Sequence, residues 1–198
     1  MRTVTLEEHF TVPAVVQRID KAAIARRGFK PRKPPAGRAN PFDLLPEMGE
    51  KRLGTMDEAG ITVQVLSNSG PGPELMAGAD GVALAREVND TIAAFVARNP
   101  TRFASFAALP LQDPEASAAE LKRAVKDLKL VGAMVHGTTD DKFLDDPRFD
   151  ILLAAAVELD VPIYIHPNLP AAPVMEAYYS NLPDGADRVL STAVWGWH

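Results

Sequence analysis

The sequence predicts an α/β protein built as a parallel barrel, and three observations predict it. A strand, loop, helix order recurs five times along the 198 residues. The strand segments are nearly continuous apolar runs, as expected of strands buried on both faces. The first and fifth of these runs end in residues of metal-binding type, His9 and His166, and parallel barrels carry their sites at the C-terminal ends of their strands. An open doubly wound sheet is the competing arrangement. Its mark is a glycine-rich phosphate turn after the first strand, and here that position holds Glu7-Glu8-His9. A closed (β/α)8 TIM barrel takes about 250 residues and eight strands. The chain is therefore expected to supply only about the first five βα units, as a single incomplete domain over 1–198.

The first strand is expected over Arg2–Phe10, followed by a loop and a short helical stretch to Ile24. Residues 26–43 form a basic, proline-rich insertion, with Arg26, Arg27, Lys30, Arg32, Lys33 and Arg38, where Pro31, Pro34 and Pro35 rule out regular structure. It can be read as a solvated loop or as a lid that attracts an anionic substrate. Leu44–Ala59 carries a helical pattern with Leu45, Met48, Leu53 and Met56 on one face, closed by Gly60. The second strand is Ile61–Leu66. A helix over Asp80–Arg98 then turns Leu84, Val88, Ile92, Phe95 and Val96 inward and stops at Asn99-Pro100. Phe103–Leu109 is the third strand. Asp113-Pro114 opens a helix that runs to about Leu128, as an N-cap followed by proline at the first helical position does. Leu130–His136 is the fourth strand, Arg148–Leu159 the next helix and Val161–His166 the fifth strand. A proline-rich loop over 167–183 leads into the start of a further helix.

Composition narrows the function classes. With no cysteine, disulfides and thiolate metal sites are excluded, so any metal must take N and O ligands. A net charge of -5 gives no reason to expect nucleic acid as a partner. The start of the chain does not read as a signal peptide, and no apolar run approaches the ~20 residues of a membrane helix. A cytoplasmic, soluble protein is the expectation.

The side chains at strand ends carry the chemistry. In a strand, i and i+2 face the same side, so Glu7 and His9 converge. Such an O,N pair suits a divalent ion such as Zn or Mn, or forms a structural ion pair. Glu8 points the opposite way and is expected to have a structural partner. His166 is a third ligand, or a strand-end histidine bonded to a carbonyl. His136 ends the fourth strand at the same mouth, where it could touch a substrate oxygen or be an ordinary polar strand end. Phe10, Asn68 and Ser69 lie above the first two strands as candidate pocket residues, Phe10 against an aromatic ring. Trp195 and Trp197 read as packing anchors.

These motifs together resemble the amidohydrolase-related decarboxylases: Leu6-Glu7-Glu8-His9-Phe10, Ala107-Ala108-Leu109-Pro110-Leu111-Gln112-Asp113-Pro114, Val131-Gly132-Ala133 and Ile165-His166-Pro167. The γ-resorcylate and 2,3-dihydroxybenzoate decarboxylases are the nearest branch, and aminocarboxymuconate-semialdehyde decarboxylase is more distant. The resemblance implies a metal-dependent-hydrolase barrel with Glu7, His9 and His166 as metal ligands, and Glu at the first position favours the hydroxybenzoate branch. It implies non-oxidative loss of CO2 from an ortho-hydroxybenzoate-type aromatic acid in a homo-oligomer (dimer or tetramer); His136, Phe10 and Asn68 are the candidate substrate contacts, read from their own positions. Metal-dependent hydrolysis, or an inactive fragment acting as an assembly module, are the alternatives. The family's Gly-His-x-Gly-Glu and Ser-Thr-Asp motifs, which bring a catalytic histidine and a metal-binding aspartate, do not occur in these residues. The expectation is a fragment that binds and orients substrate and lacks the groups for proton transfer.

Overall fold

The computed structural model describes residues 1–26, 37, 40–183 and 185–195. Its strands are β1 (Val4–Phe10), β2 (Val63–Asn68), β3 (Phe103–Ser105), β4 (Ala133–His136) and β5 (Ile163–His166). β1 pairs with β2, β2 with β3 and β4 with β5, all parallel. A parallel bridge between Ala107 and Ala133 joins β3 to β4. There the Ala107 N–H donates to the Gly132 carbonyl at 2.8 Å and the Met134 N–H to the Ala107 carbonyl at 3.1 Å. The strands thus lie in chain order in one curved parallel sheet, the arrangement of the first five units of a (β/α)8 barrel.

The helices are α1 (Pro13–Arg18), α2 (Lys21–Arg26), α3 (Glu50–Glu58), α4 (Gly78–Arg98), α5 (Pro114–Lys126), α6 (Asp150–Leu159), α7 (Ala172–Tyr179) and α8 (Ala186–Ala193). α4, α5 and α6 are the crossovers that parallel pairing requires. Most of the basic insertion, expected over 26–43, lies outside the described residues; Pro41–Leu44 at its end is a single 3₁₀ turn. α3 begins at Glu50 and not at Leu44, because Pro46 has no backbone N–H to continue a helix. Its apolar face still forms: Met56 is fully buried, with Met48 and Leu53 packed against the core. Gly60 follows with φ +67, the left-handed conformation that ends a helix without steric cost. Asp113 caps α5 as expected, its side chain accepting from the Ala116 N–H at 2.9 Å. α7 corrects the reading of 167–183 as loop: Pro173 falls in the first turn of a helix, where a missing N–H is harmless.

Strand alternation divides the core in two. On the convex side, Leu66, Leu84, Ile92, Phe103, Leu121 and Leu152 are fully or almost fully buried between sheet and helices. On the concave side, Val65, Phe106 and Met134 form a smaller cluster with Tyr164, whose ring stacks on Phe106 at 5.7 Å. Asn89 inside α4 is buried but satisfied, bonding Ala108 through both its amide atoms and reaching Glu120 at 2.7 Å. This locks α4 to the end of β3 and to α5. The expectation that every strand is buried on both faces holds for β2 and β4 only. Val4 and Leu6 on β1 and Ile165 on β5 are about half exposed, because among the described residues each of these strands pairs with one neighbour.

Candidate metal centre

The two ends of the sheet curl toward each other until residues from β1 and β5 touch. His9 Nε2 lies 3.2 Å from His166 Nε2, and Glu7 Oε1 lies 3.1 Å from the same His166 nitrogen. One ligand atom from each of Glu7, His9 and His166 falls within 4.8 Å of the other two. Three residues singled out in the sequence are thereby brought to one point, across a chain separation of 157 between His9 and His166.

β1 achieves this with an irregularity that simple alternation does not contain. Its register against β2 shifts between Thr5 and Glu8, so two residues, Leu6 and Glu7, stand opposite Val65. Glu7 itself has φ +60. This is a β-bulge, which re-aims a side chain and is common beside active sites. A non-glycine residue held in the left-handed region costs on the order of 1–3 kcal/mol. From Glu7 onward the alternation is regular: Glu7 and His9 face inward, while Glu8 turns outward to accept from the Gln64 amide at 2.9 Å. Arg52 of α3 reaches the same region, donating to the His9 carbonyl at 2.7 Å and holding the end of β1 in place.

Each candidate ligand is oriented by a second residue. His166 Nδ1 donates to the Pro167 carbonyl at 2.7 Å, which leaves Nε2 as the lone-pair atom facing the cluster. His9 Nδ1 contacts the fully buried Ser67 hydroxyl at 3.0 Å, so its Nε2 also faces inward. Glu7 Oε2 accepts from the Tyr164 hydroxyl at 2.7 Å. Tyr164 and its role escaped the sequence reading. The signal was there: Tyr164 precedes His166 by two on β5 and so shares its inward face. That hydrogen bond to Glu7 raises the tyrosine pKa.

Electrostatics keep the imidazoles neutral. Burial, followed by the neighbouring His166, lowers the His9 pKa from 6.5 to about 4, against the opposing pull of Glu7. Burial and then His136 lower that of His166. Two imidazoles whose Nε2 atoms face each other beside a carboxylate are a donor set that fits a divalent cation.

His136 ends β4 in register with His166, their rings edge to face at 5.2 Å. On its other side, Nδ1 lies 3.4 Å from Glu74 Oε1. Glu74 is the second residue missed in the sequence, because it sits in a glycine- and proline-rich loop with no periodicity to place it. Its side chain is only 8% exposed. Burial would raise its pKa, but His136 and the Gly72 N–H, which donates to it at 3.1 Å, bring the net value below the usual range. Asn68 is buried at the end of β2, donating to the Ser69 carbonyl, with its own carbonyl oxygen unpartnered. Phe10 requires a correction: it is packed into the convex core and fully hidden from solvent, because it follows His9 by one and so faces away from the cluster. Ser69 bonds the Gly70 carbonyl locally. Trp195 is half-buried beyond α8, and Trp197 and His198 lie outside the described residues.

The fold and the cluster define a partial parallel βα barrel with a candidate metal-binding set, Glu7, His9 and His166, at the C-terminal ends of its outer strands. The chain matches the family described as Amidohydrolase over residues 9–189, and it belongs to that family. It is 40% identical over 158 residues to the decarboxylase orsB of Emericella nidulans, covering 79% of this chain and 46% of that one. It is 38% identical to the γ-resorcylate decarboxylase of Polaromonas sp., covering 84% of this chain and 50% of the relative. Among solved structures, the dihydroxybenzoic acid decarboxylase of Polaromonas sp., with bound manganese and 2-nitroresorcinol, superimposes with a TM-score of 0.75 at 32% identity, over 91% of this chain and 54% of that one. The chain spans about half the length of the curated relatives it matches.

Proposed function

We propose that this chain carries the metal- and substrate-orienting part of a non-oxidative decarboxylase for an ortho-hydroxybenzoate-type aromatic acid. The observation that carries the reading is the convergence of Glu7, His9 and His166 within 4.8 Å from opposite ends of the sheet. Glu7, His9 and His166 would hold a divalent ion, and manganese is the one that the dihydroxybenzoate decarboxylase structure contains. Zinc suits the same donors on chemical grounds. When bound there, the ion supplies a template and a positive charge for the carboxylate and the adjacent phenolic oxygen of the substrate.

The chain's own residues bind and orient. Tyr164 fixes Glu7 by donating to Oε2, the Pro167 carbonyl fixes the tautomer of His166, and Ser67 fixes the ring plane of His9. Phe106 and Met134 give the concave face an apolar floor against which an aromatic ring can lie. The resemblance assigns proton transfer to a histidine and an aspartate in motifs that these 198 residues do not contain, so no proton step is assigned to Glu7, His9 or His166. It also leads us to propose that the protein works as a dimer or tetramer.

The test is elemental analysis of the purified chain beside a Glu7→Gln/His9→Ala double variant, then product analysis with hydroxybenzoates on a protein of the relatives' length. About one metal per chain, lost in the double variant, with release of CO2 and the matching phenol, supports the reading. Turnover of esters or amides without CO2 release would replace it with metal-assisted hydrolysis on the same scaffold.

A further inference from the structure

Glu7 stands in a conformation that a glutamate does not choose. Its φ of +60 lies in the left-handed region, where a bulge residue is ordinarily glycine. Such a conformation persists only where the surroundings impose it. Polar side chains outside the cluster meet around it. Gln64 on β2 is the register partner of Thr5, the last residue paired before the bulge. Its side chain nevertheless donates at 2.9 Å to Glu8, the first residue paired after the bulge. One glutamine therefore spans the irregularity from the neighbouring strand. Gln64 is 6% exposed, and its amide oxygen accepts from Arg52 at 3.3 Å. Arg52 in turn is anchored on the Glu47 carbonyl at 3.0 Å and donates to the His9 carbonyl at 2.7 Å. The chain is thus gripped at Thr5, Glu8 and His9, and Leu6 and Glu7 take up the extra length. None of Arg52, Gln64 and Glu8 belongs to the apolar layer of the convex face, and none supplies an atom to the cluster.

We propose that Arg52, Gln64 and Glu8 form a clamp on the bulge, as positioning residues that hold Glu7 left-handed and so aim its carboxylate at His9 and His166. This deepens the reading above and rests on the cluster binding a divalent cation. Register shows what the clamp prevents. Regular pairing continued from Thr5 and Gln64 would set Glu7 opposite Leu66, which faces the convex core. A slip of one residue turns every later side chain to the other face, so Glu7 and His9 would both leave the cluster.

The experiment compares the full chain with its Glu8→Ala, Glu8→Gln, Gln64→Leu and Arg52→Met variants in two readouts. In the metal-free protein, the backbone chemical shifts of Glu7 report its conformation without any ion. They are expected to leave left-handed values in Glu8→Ala and Gln64→Leu, and to keep them in Glu8→Gln, whose amide oxygen still accepts from Gln64. Manganese affinity, read by calorimetry, is expected to fall about tenfold or more in Glu8→Ala, Gln64→Leu and Arg52→Met, and to stay near the parent value in Glu8→Gln. Because the three act as a unit, Glu8→Ala/Arg52→Met should lose little more than either single variant, and not the product of the two losses. Glu8 is partly exposed, so Glu8→Ala carries the test if Gln64→Leu fails to fold. Left-handed shifts at Glu7 that survive in Glu8→Ala overturn the inference and leave the proposed function standing. So does manganese affinity that holds once those shifts have moved. A parent chain that takes up no manganese overturns the proposed function, and the metal-free shifts still decide the clamp.

Discussion

The two faces of the curved sheet obey the same alternation and put it to opposite uses. The convex face is a continuous apolar layer in which Leu66, Phe103 and their neighbours meet α4, α5 and α6. The concave face has a short apolar floor of Val65, Phe106 and Met134, and above it the ends of β1, β4 and β5 bring Glu7, His9, His136 and His166 together. The convex side holds the fold together by area removed from water, whereas the concave side holds charge and lone pairs in a fixed geometry. A substitution on one face should therefore be nearly silent in the property governed by the other.

The sharpest test is Leu121→Ala, at a fully buried convex position on α5. It should lower unfolding free energy by about 2–5 kcal/mol, read from the urea midpoint, with metal stoichiometry of the folded protein unchanged. Loss of metal along with stability would break the separation. Glu7→Gln should do the converse: manganese affinity measured by calorimetry falls by roughly 100-fold or more, as removal of an inner ligand exceeds the 10–100-fold effect of its supporting residues. The urea midpoint should hold, since the left-handed backbone at residue 7 is unchanged and the amide oxygen can still accept from Tyr164. pH separates the faces in a third way. The folded His9 imidazole takes up its proton only near pH 4, against 6.5 for the free side chain. Between those values the unfolded chain binds more protons, so the metal-free protein should lose thermal stability as pH falls from 6.5 toward 4. His9→Gln should flatten that slope in melting curves; an unchanged slope would assign it elsewhere. Tyr164→Phe, which removes only the hydroxyl bonded to Glu7, should weaken manganese about tenfold. Asp113→Ala, at the α5 cap, should cost about 1 kcal/mol in stability and nothing in metal affinity.

Much of the convex face could be read from sequence because it depends on periodicity. The inward stripe Leu84, Val88, Ile92 and Phe95 and the cap at Asp113 are local patterns, and the structure places each as expected. Glu7, His9, His136 and His166 were legible for a related reason, as polar residues that interrupt apolar runs at their ends. What escaped was information that periodicity does not carry. Glu74 lies in an irregular loop and matters only because β4 brings His136 to it. Phe10 was read as a pocket residue, although its parity with Glu8 already turned it to the convex side. The bulge at Glu7 leaves no mark in the sequence, since its cause is the register between two strands.

The span between the cluster's members has a consequence for how the molecule comes together. Glu7 and Tyr164, like His9 and His166, are 157 residues apart, and β2, β3 and β4 with their crossovers lie between them. Neighbouring βα units can pair while the ends of the sheet are still far apart, but the cluster exists only once the whole arc has curved. Contacts of such separation carry the largest loop-closure entropy and form late. An ion gripped from both ends would thus act as a clasp on the completed arc, adding about 2.7 kcal/mol at a free concentration 100 times its dissociation constant. Cation uptake would then report on assembly: a chain that takes up the ion has already brought its first strand to its fifth.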